Sequence, residues 1–165
     1  MDAKFADIII PFADSIKELK LTIDSLIEQK NLINKILVIV SGKSKNILYK
    51  KIIKYEEIYK ENLNIKIILD DAIKTTAGTA RNKGINYSKA DYIAFIDSGM
   101  TVEQEWLNSF RSLSQKEFIR LGCTRFKPQN KRQLISALLT YGTKDAKLKF
   151  HFAIDHFIRN VIVHF

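Results

Sequence analysis

Arg81 and Asp97 are the residues of this chain whose types and spacing best suit chemistry. Arg81 lies in Gly78-Thr79-Ala80-Arg81-Asn82-Lys83-Gly84, where a glycine and small residues open a short helix, Ala80 to Ser88, with the arginine expected on its first turn. Asp97 closes the apolar run Asp91-Tyr92-Ile93-Ala94-Phe95-Ile96, which reads as a strand over Tyr92–Ile96. A helix N-terminus offers backbone N–H groups and the positive end of a dipole, so it suits a phosphate. A guanidinium adds a fixed charge and a fork of donors that fit phosphate oxygens. An open α/β sheet binds its ligands just beyond the carboxyl ends of its strands, where Asp97 falls. Together these residues suggest a site for a nucleotide diphosphate. They also read as a capped helix packed on a buried strand, and both readings stand at this point.

Other groups offer less. Gly42-Lys43-Ser44 is similar to the end of a phosphate-binding loop, but that loop needs a glycine where Leu37 stands inside a strand, so it is rejected. Asp70-Asp71 follows a strand and reads as a solvated turn or helix cap, with cation binding as the alternative. His151, His156 and His164 lack the spacing of a zinc-binding helix. Cys123 is the single cysteine, which excludes an internal disulfide and a cysteine-based zinc site and fits a reducing, cytoplasmic setting.

Strands and helices alternate along the chain. The expected strands are Ala6–Pro11, Lys35–Val40, Ile65–Leu69, Tyr92–Ile96 and Glu117–Phe126. Ser15-Ile16-Lys17-Glu18 has the form of a capping box, followed by Ile16, Leu19, Ile23, Leu26 and Ile27 on one helical face. Leu48, Ile52, Tyr55 and Tyr59 mark a second helix. Thr101-Val102-Glu103-Gln104 reads as a further capping box, with Val102, Trp106, Phe110 and Leu113 at helical spacing. Asn130–Tyr141 and Phe150–Phe165 are expected as helices. This alternation predicts right-handed βαβ crossovers and a mostly parallel sheet. Continuous Ile/Val/Leu strands predict helices on both of its faces.

The chain has 165 residues, enough for one domain with a real core, and 46% of them are hydrophobic, which excludes a disordered chain. No apolar run reaches the roughly 18–20 residues of a membrane span, and the N-terminus does not read as a signal peptide. The net charge of +9 favours anionic partners, yet the lysines are spread along every segment. No basic-aromatic motif of the RNA-binding kind is present, so nucleic acid is not an expected partner. The apolar C-terminal segment 150–165 reads as a helix packed on the sheet, with a homo-oligomer contact or a peripheral membrane contact as alternatives.

In this order the residues resemble the N-terminal, nucleotide-binding half of a GT-A glycosyltransferase of family 2, the inverting sugar transferases. Ile8-Ile9-Ile10-Pro11-Phe12-Ala13-Asp14 is similar to that family's opening segment. The helix Ile16–Gln29 resembles the one that follows it. Gly78 to Gly84 is similar to its G.ARN.G motif, Asp91 to Asp97 to the strand leading into its Asp-x-Asp motif, and Trp106-Leu107 to a pair that often comes next. The resemblance covers residues 5 to about 110. It implies a GT-A, Rossmann-like α/β fold over 1–165, shortened at the C-terminus. Residues 1–115 would be the nucleotide-binding half, and 116–165 a remnant of the acceptor half or partner- and membrane-contact helices.

The resemblance also implies roles. Pro11 and Phe12 would lie along the nucleoside, and Ser41 would stand where the family's base-contacting Asp is found. Arg81 would lie near the base or the diphosphate, and Asp97 would hold the ribose or a metal-bound water. The donor would be a nucleotide-diphosphate sugar, with Mg2+ or Mn2+ as cofactor and Asp97 as metal ligand. The acceptor would be a hydroxyl on a glycan or a lipid-linked molecule. The chain departs from the family pattern in three places. Ser41 carries no charge, Asp97-Ser98-Gly99 lacks the second carboxylate, and Asp145 and Asp155 are the only later aspartates to offer as base. These departures favour an alternative: a non-catalytic GT-A-like protein that binds a nucleotide or a protein partner.

Overall fold

The computed structural model describes residues 4–72, 75–110, 119–121 and 161–164. Four parallel strands, β1 (Ala6–Phe12), β2 (Ile33–Val40), β3 (Ile65–Leu69) and β4 (Tyr92–Phe95), form the body of one sheet. The strands β5 (Ile119–Leu121) and β6 (Val161–His164) extend it, giving the order β3-β2-β1-β4-β6-β5, with β6 antiparallel to both of its neighbours. The helices are α1 (Ile16–Leu26), α2 (Lys45–Ile52), α3 (Tyr55–Ile58) and α4 (Ala77–Tyr87).

Side chains alternate across a strand, so each buried strand feeds two cores. Ile8, Ile10 and Phe12 of β1 pack with Val38 and Val40 of β2 beneath Leu19, Ile23 and Leu26 of α1 and Ile52 of α2. Ile9, Leu37, Ile39, Ile68, Ile93 and Phe95 point the other way, against Ala80 and Ile85 of α4. The sheet is therefore covered on both faces, as its unbroken apolar strands predict. Gly84 lets α4 lie this low: a Cβ there would sit 2.6 Å from Ile9 Cγ2. The outer edge of β3 is shielded by Glu56, which accepts from Ile67 N–H at 2.7 Å.

Ser15 caps α1 as expected, its hydroxyl accepting from Glu18 N–H at 3.3 Å. Three expectations need correction. The helix spanning Leu48 to Tyr59 is two helices, α2 and α3. No helix starts at Val102; turns lead instead to a single short 3-10 turn, Asn108–Phe110. The expected C-terminal helix gives way at Val161–His164 to β6, which pairs with β4 and β5. Its three consecutive β-branched residues, Val161-Ile162-Val163, are stiff at χ1 and suit an extended strand. The Asn130–Tyr141 helix, Cys123, Asp145, Asp155, His151, His156 and most of Glu117–Phe126 lie outside the described residues.

Candidate functional site

The carboxyl edge of the parallel sheet gathers the polar residues. Strand alternation puts Pro11 on the α4 face with Ile9, and Ser41 on the same face with Leu37 and Ile39. Phe12 points the opposite way and is 1% exposed, its ring buried in the α1-side core. The expected contribution of Phe12 along a nucleoside therefore reduces to its backbone. That carbonyl accepts from Ser41 N–H at 2.7 Å and from the Ser41 hydroxyl at 3.4 Å.

Arg81 and Asp97 meet directly: one guanidinium nitrogen lies 2.5 Å from Asp97 Oδ1, and both side chains are about one-quarter to one-third exposed (30% and 25%). Elements of opposite kind bring them together, α4 supplying the base and the loop after β4 the acid. The helix begins earlier than its sequence suggests. Thr76 is the N-cap, and a capping box joins Thr76 and Thr79: Thr79 N–H donates to Thr76 Oγ1 at 3.1 Å and Thr76 N–H to Thr79 Oγ1 at 2.8 Å. Arg81 therefore stands one turn into the helix, not on its first turn. Two of the N–H donors at this end are already bonded within the cap, so the charge of Arg81 is the stronger attraction for an anion.

The turn carrying Asp97 is held by a polar row on α1 and on the 3-10 turn that follows it, Ile27–Gln29. Gly99 N–H donates to Thr22 Oγ1 at 2.9 Å, and Val102 N–H to Ser25 Oγ at 3.2 Å. Leu107 N–H donates to the side-chain carbonyl of Gln29 at 2.7 Å, and Gln29 donates in turn to the Glu103 carbonyl at 3.1 Å. The Leu107 N–H and the Glu103 carbonyl are the i, i+4 pair that a helix from Val102 would have joined to each other, and Gln29 takes up both. Thr22, Ser25 and Gln29 are the positioning residues that sequence reasoning missed. The signal was present: Thr22 and Ser25 of α1 and Gln29 of the turn after it recur at helical spacing among apolar residues.

The paired acids divide. Asp70 is 1% exposed, and its Oδ1 accepts from Ala72 N–H at 3.1 Å. Its Oδ2 is buried with no hydrogen-bond partner among the described residues. Asp71 is exposed and pairs with Lys83, whose hydrogen bond holds the carboxyl below its usual range. Lys45 ties this loop to α2 by donating to the carbonyls of Asp70, at 2.5 Å, and Ala72, at 3.3 Å.

The donor set among the described residues does not fit a divalent metal. Among the described residues, no group of three or more His, Cys, Asp or Glu side chains is placed to hold one. Asp97 is committed to a guanidinium, and the second place of the Asp-x-Asp pattern is Gly99, at φ +93°. A hard cation prefers several oxygen ligands. No described helix is long and apolar enough to cross a membrane.

A doubly covered, mostly parallel sheet with an acid at the end of β4 defines the class as a GT-A α/β domain. The chain belongs to glycosyl transferase family 2, whose family model matches residues 7–160. Solved structures agree on the fold. TarS 1-349 from S. aureus superposes with a TM-score of 0.54 at 20% identity, covering 66% of this chain and 31% of that one. The same TarS fragment in complex with UDP-GlcNAc gives 0.53 at 20% identity, covering 66% and 30%. The mannosyltransferase PcManGT from Pyrobaculum calidifontis, in complex with GDP-Man and Mn2+, gives 0.56 at 9% identity, covering 75% and 36%. The chain thus spans about a third of the length of these solved proteins. No curated protein sequence matches it.

Proposed function

We propose that the carboxyl edge of this sheet binds a nucleotide-diphosphate sugar and that the chain transfers the sugar to an acceptor hydroxyl, on a glycan or a lipid-linked molecule. The observation that carries this reading is the meeting of Arg81 and Asp97 at the end of β4, part-exposed and on the α4 face. Family membership and neighbours solved with UDP-GlcNAc and GDP-Man support it. Arg81 faces the diphosphate, which leaves as a dianionic or trianionic group and gains from a fixed positive charge. Asp97 orients the guanidinium and faces the ribose. Pro11 and the Phe12 backbone run along the nucleoside, and Ser41, buried with its hydroxyl on the Phe12 carbonyl, braces that turn beneath the base.

In the transfer, the acceptor oxygen forms the new bond to the anomeric carbon and passes its proton to a carboxylate base or to water. The bond to the diphosphate oxygen breaks, and the electron pair leaves with the nucleotide. Residues 1–115 are proposed as the donor-binding half.

The test is a thermal-shift panel of UDP-, GDP-, CMP- and dTDP-sugars on the full chain, followed by a measurement of nucleotide release with acceptor present. A ligand at 100 times its Kd adds ~2.7 kcal/mol of stability. The expected result is a shift with one base class, lost in Arg81→Ala and retained in Lys60→Ala, an exposed residue of the turn after α3. No shift with any sugar nucleotide overturns the reading. A shift without sugar transfer assigns the chain to donor binding alone.

A further inference from the structure

We infer that the Arg81 guanidinium takes the place of a divalent cation, so that this chain holds its donor diphosphate without metal. The inference deepens the proposed donor site and rests on it.

Three observations converge. First, Arg81 already occupies the cation side of Asp97, with its nitrogen 2.5 Å from the carboxylate oxygen. A metal ion at Asp97 would have to share one carboxylate with a guanidinium already bonded to Oδ1, and the two positive charges repel. Second, the position where a second carboxylate would stand is closed to one. Gly99 has φ +93°, a conformation that L side chains rarely adopt. The turn is fixed there by Met100 N–H on the Asp97 carbonyl at 3.1 Å and Gly99 N–H on Thr22 at 2.9 Å. A Cβ on Gly99 would point to within 3.4 Å of Glu18 Oε2, so a carboxylate there would meet another carboxylate. Third, the guanidinium has donors to spare. It carries five N–H groups in a planar fork, is 30% exposed, and is held by Asp97 at one terminal nitrogen. Its remaining donors match two oxygens of a diphosphate, and its charge never titrates away.

The helix beneath supports the assignment. Arg81 stands on α4, whose Ala80 and Gly84 are buried against the sheet, so its backbone is fixed relative to β1 and β4. A cation built on a rigid helix and aimed by a carboxylate is preorganised in the way a metal site is.

The experiment titrates UDP and GDP into the full chain by calorimetry, first in EDTA and then with Mn2+ or Mg2+. The expected result is binding in EDTA, with a Kd that added metal changes by less than about threefold. Mn2+ alone should show an unaltered free-ion spectrum by electron paramagnetic resonance when the protein is added. Arg81→Ala should weaken nucleotide binding in EDTA on the order of tenfold or more. Arg81→Lys, which keeps the charge and the fold but not the fork, should fall between the two. Binding that appears only with Mn2+ overturns the inference and leaves the donor site standing. Equal affinity of wild type and Arg81→Lys in EDTA also overturns it. If neither nucleotide binds in any condition, both the inference and the donor reading fail.

Discussion

Gln29 and Leu107 lie 78 positions apart in sequence and are joined by a 2.7 Å hydrogen bond from the Leu107 N–H to the Gln29 side-chain carbonyl. Gln29 is 3% exposed and also donates to the Glu103 carbonyl. One buried side chain thus ties the segment after Asp97 to α1. Gln29→Ala would leave the buried Leu107 N–H without its partner, at about 1–3 kcal/mol before relaxation. The expected loss is about 1–3 kcal/mol by chemical denaturation, against less than about 0.5 for the exposed neighbour Glu28→Ala. Equal effects of the two would show that the anchor contributes nothing.

Gly84 and Ile9 set the distance between α4 and the sheet. Alanine is the better helix former by about 1 kcal/mol, but its methyl would press on Ile9 Cγ2 at 2.6 Å and Cδ1 at 3.0 Å. Ile9 is fully buried and cannot swing away. Overpacking of this kind costs about 1–3 kcal/mol, so Gly84→Ala should destabilise. Ile9→Ala alone leaves a cavity and costs about 2–5 kcal/mol. Together the new methyl fills part of the space the isoleucine vacates. The double variant should be more stable than the summed singles by about 1 kcal/mol or more in a double-mutant cycle; strict additivity would refute this contact.

Tyr59 and Asp24 give a pH signature. The Tyr59 hydroxyl donates to Asp24 Oδ1 at 2.6 Å. Burial, followed by this bond, pushes the hydroxyl well above its ordinary range. Burial alone would raise the Asp24 carboxyl, but bonds from Lys20 and Tyr59 outweigh it and hold the group below its ordinary value. A tyrosine whose folded pKa is raised contributes stability that is present below the unfolded pKa of about 10 and lost as pH rises beyond it. For the aspartate the sign reverses, and its contribution fades as pH falls below about 4. Tyr59→Phe should cost about 1–2 kcal/mol at pH 7. The gap to wild type should narrow between pH 9 and pH 11 in denaturant titrations. A gap that stays constant would mean the hydroxyl does not titrate as the fold requires.

The sheet was legible because its strands are unbroken runs such as Ile36-Leu37-Val38-Ile39-Val40, which two-sided burial alone explains. The candidate site was legible in part. Arg81 and Asp97 were chosen as candidates from residue type and from the end of a strand, two local signals. Their direct pairing was not, because it depends on how far α4 slides along β1, and that is set by Gly84 against Ile9. The segment from Thr101 misled because its residue types match a capping box, but Gln29, distant in sequence, takes up the Leu107 N–H and the Glu103 carbonyl. The 161–164 strand was hidden for a similar reason. It gains its hydrogen bonds from β4 and β5, neither of which is near it in sequence.

Gly78 separates a structural role from a ligand role. It is the second residue of α4 and does not have a left-handed φ; a Cβ there would meet only Thr76 Oγ1, at 3.6 Å, an ordinary contact. Nothing in the fold therefore requires glycine. Gly78→Ala should stabilise the free chain by about 0.4–1 kcal/mol, chiefly by restricting the unfolded state. A small residue beside Arg81 does matter if a diphosphate must approach the backbone of this turn, where an added methyl would hold it off. The same variant should then bind UDP or GDP more weakly, on the order of several-fold for one lost hydrogen bond. Thermal midpoints without ligand and calorimetric affinities with it measure the two effects on one protein. A rise in stability with unchanged affinity would place the ligand away from the first turn of α4. Opposite changes would tie the glycine to the donor, because a purely structural glycine cannot improve folding and impair binding at once.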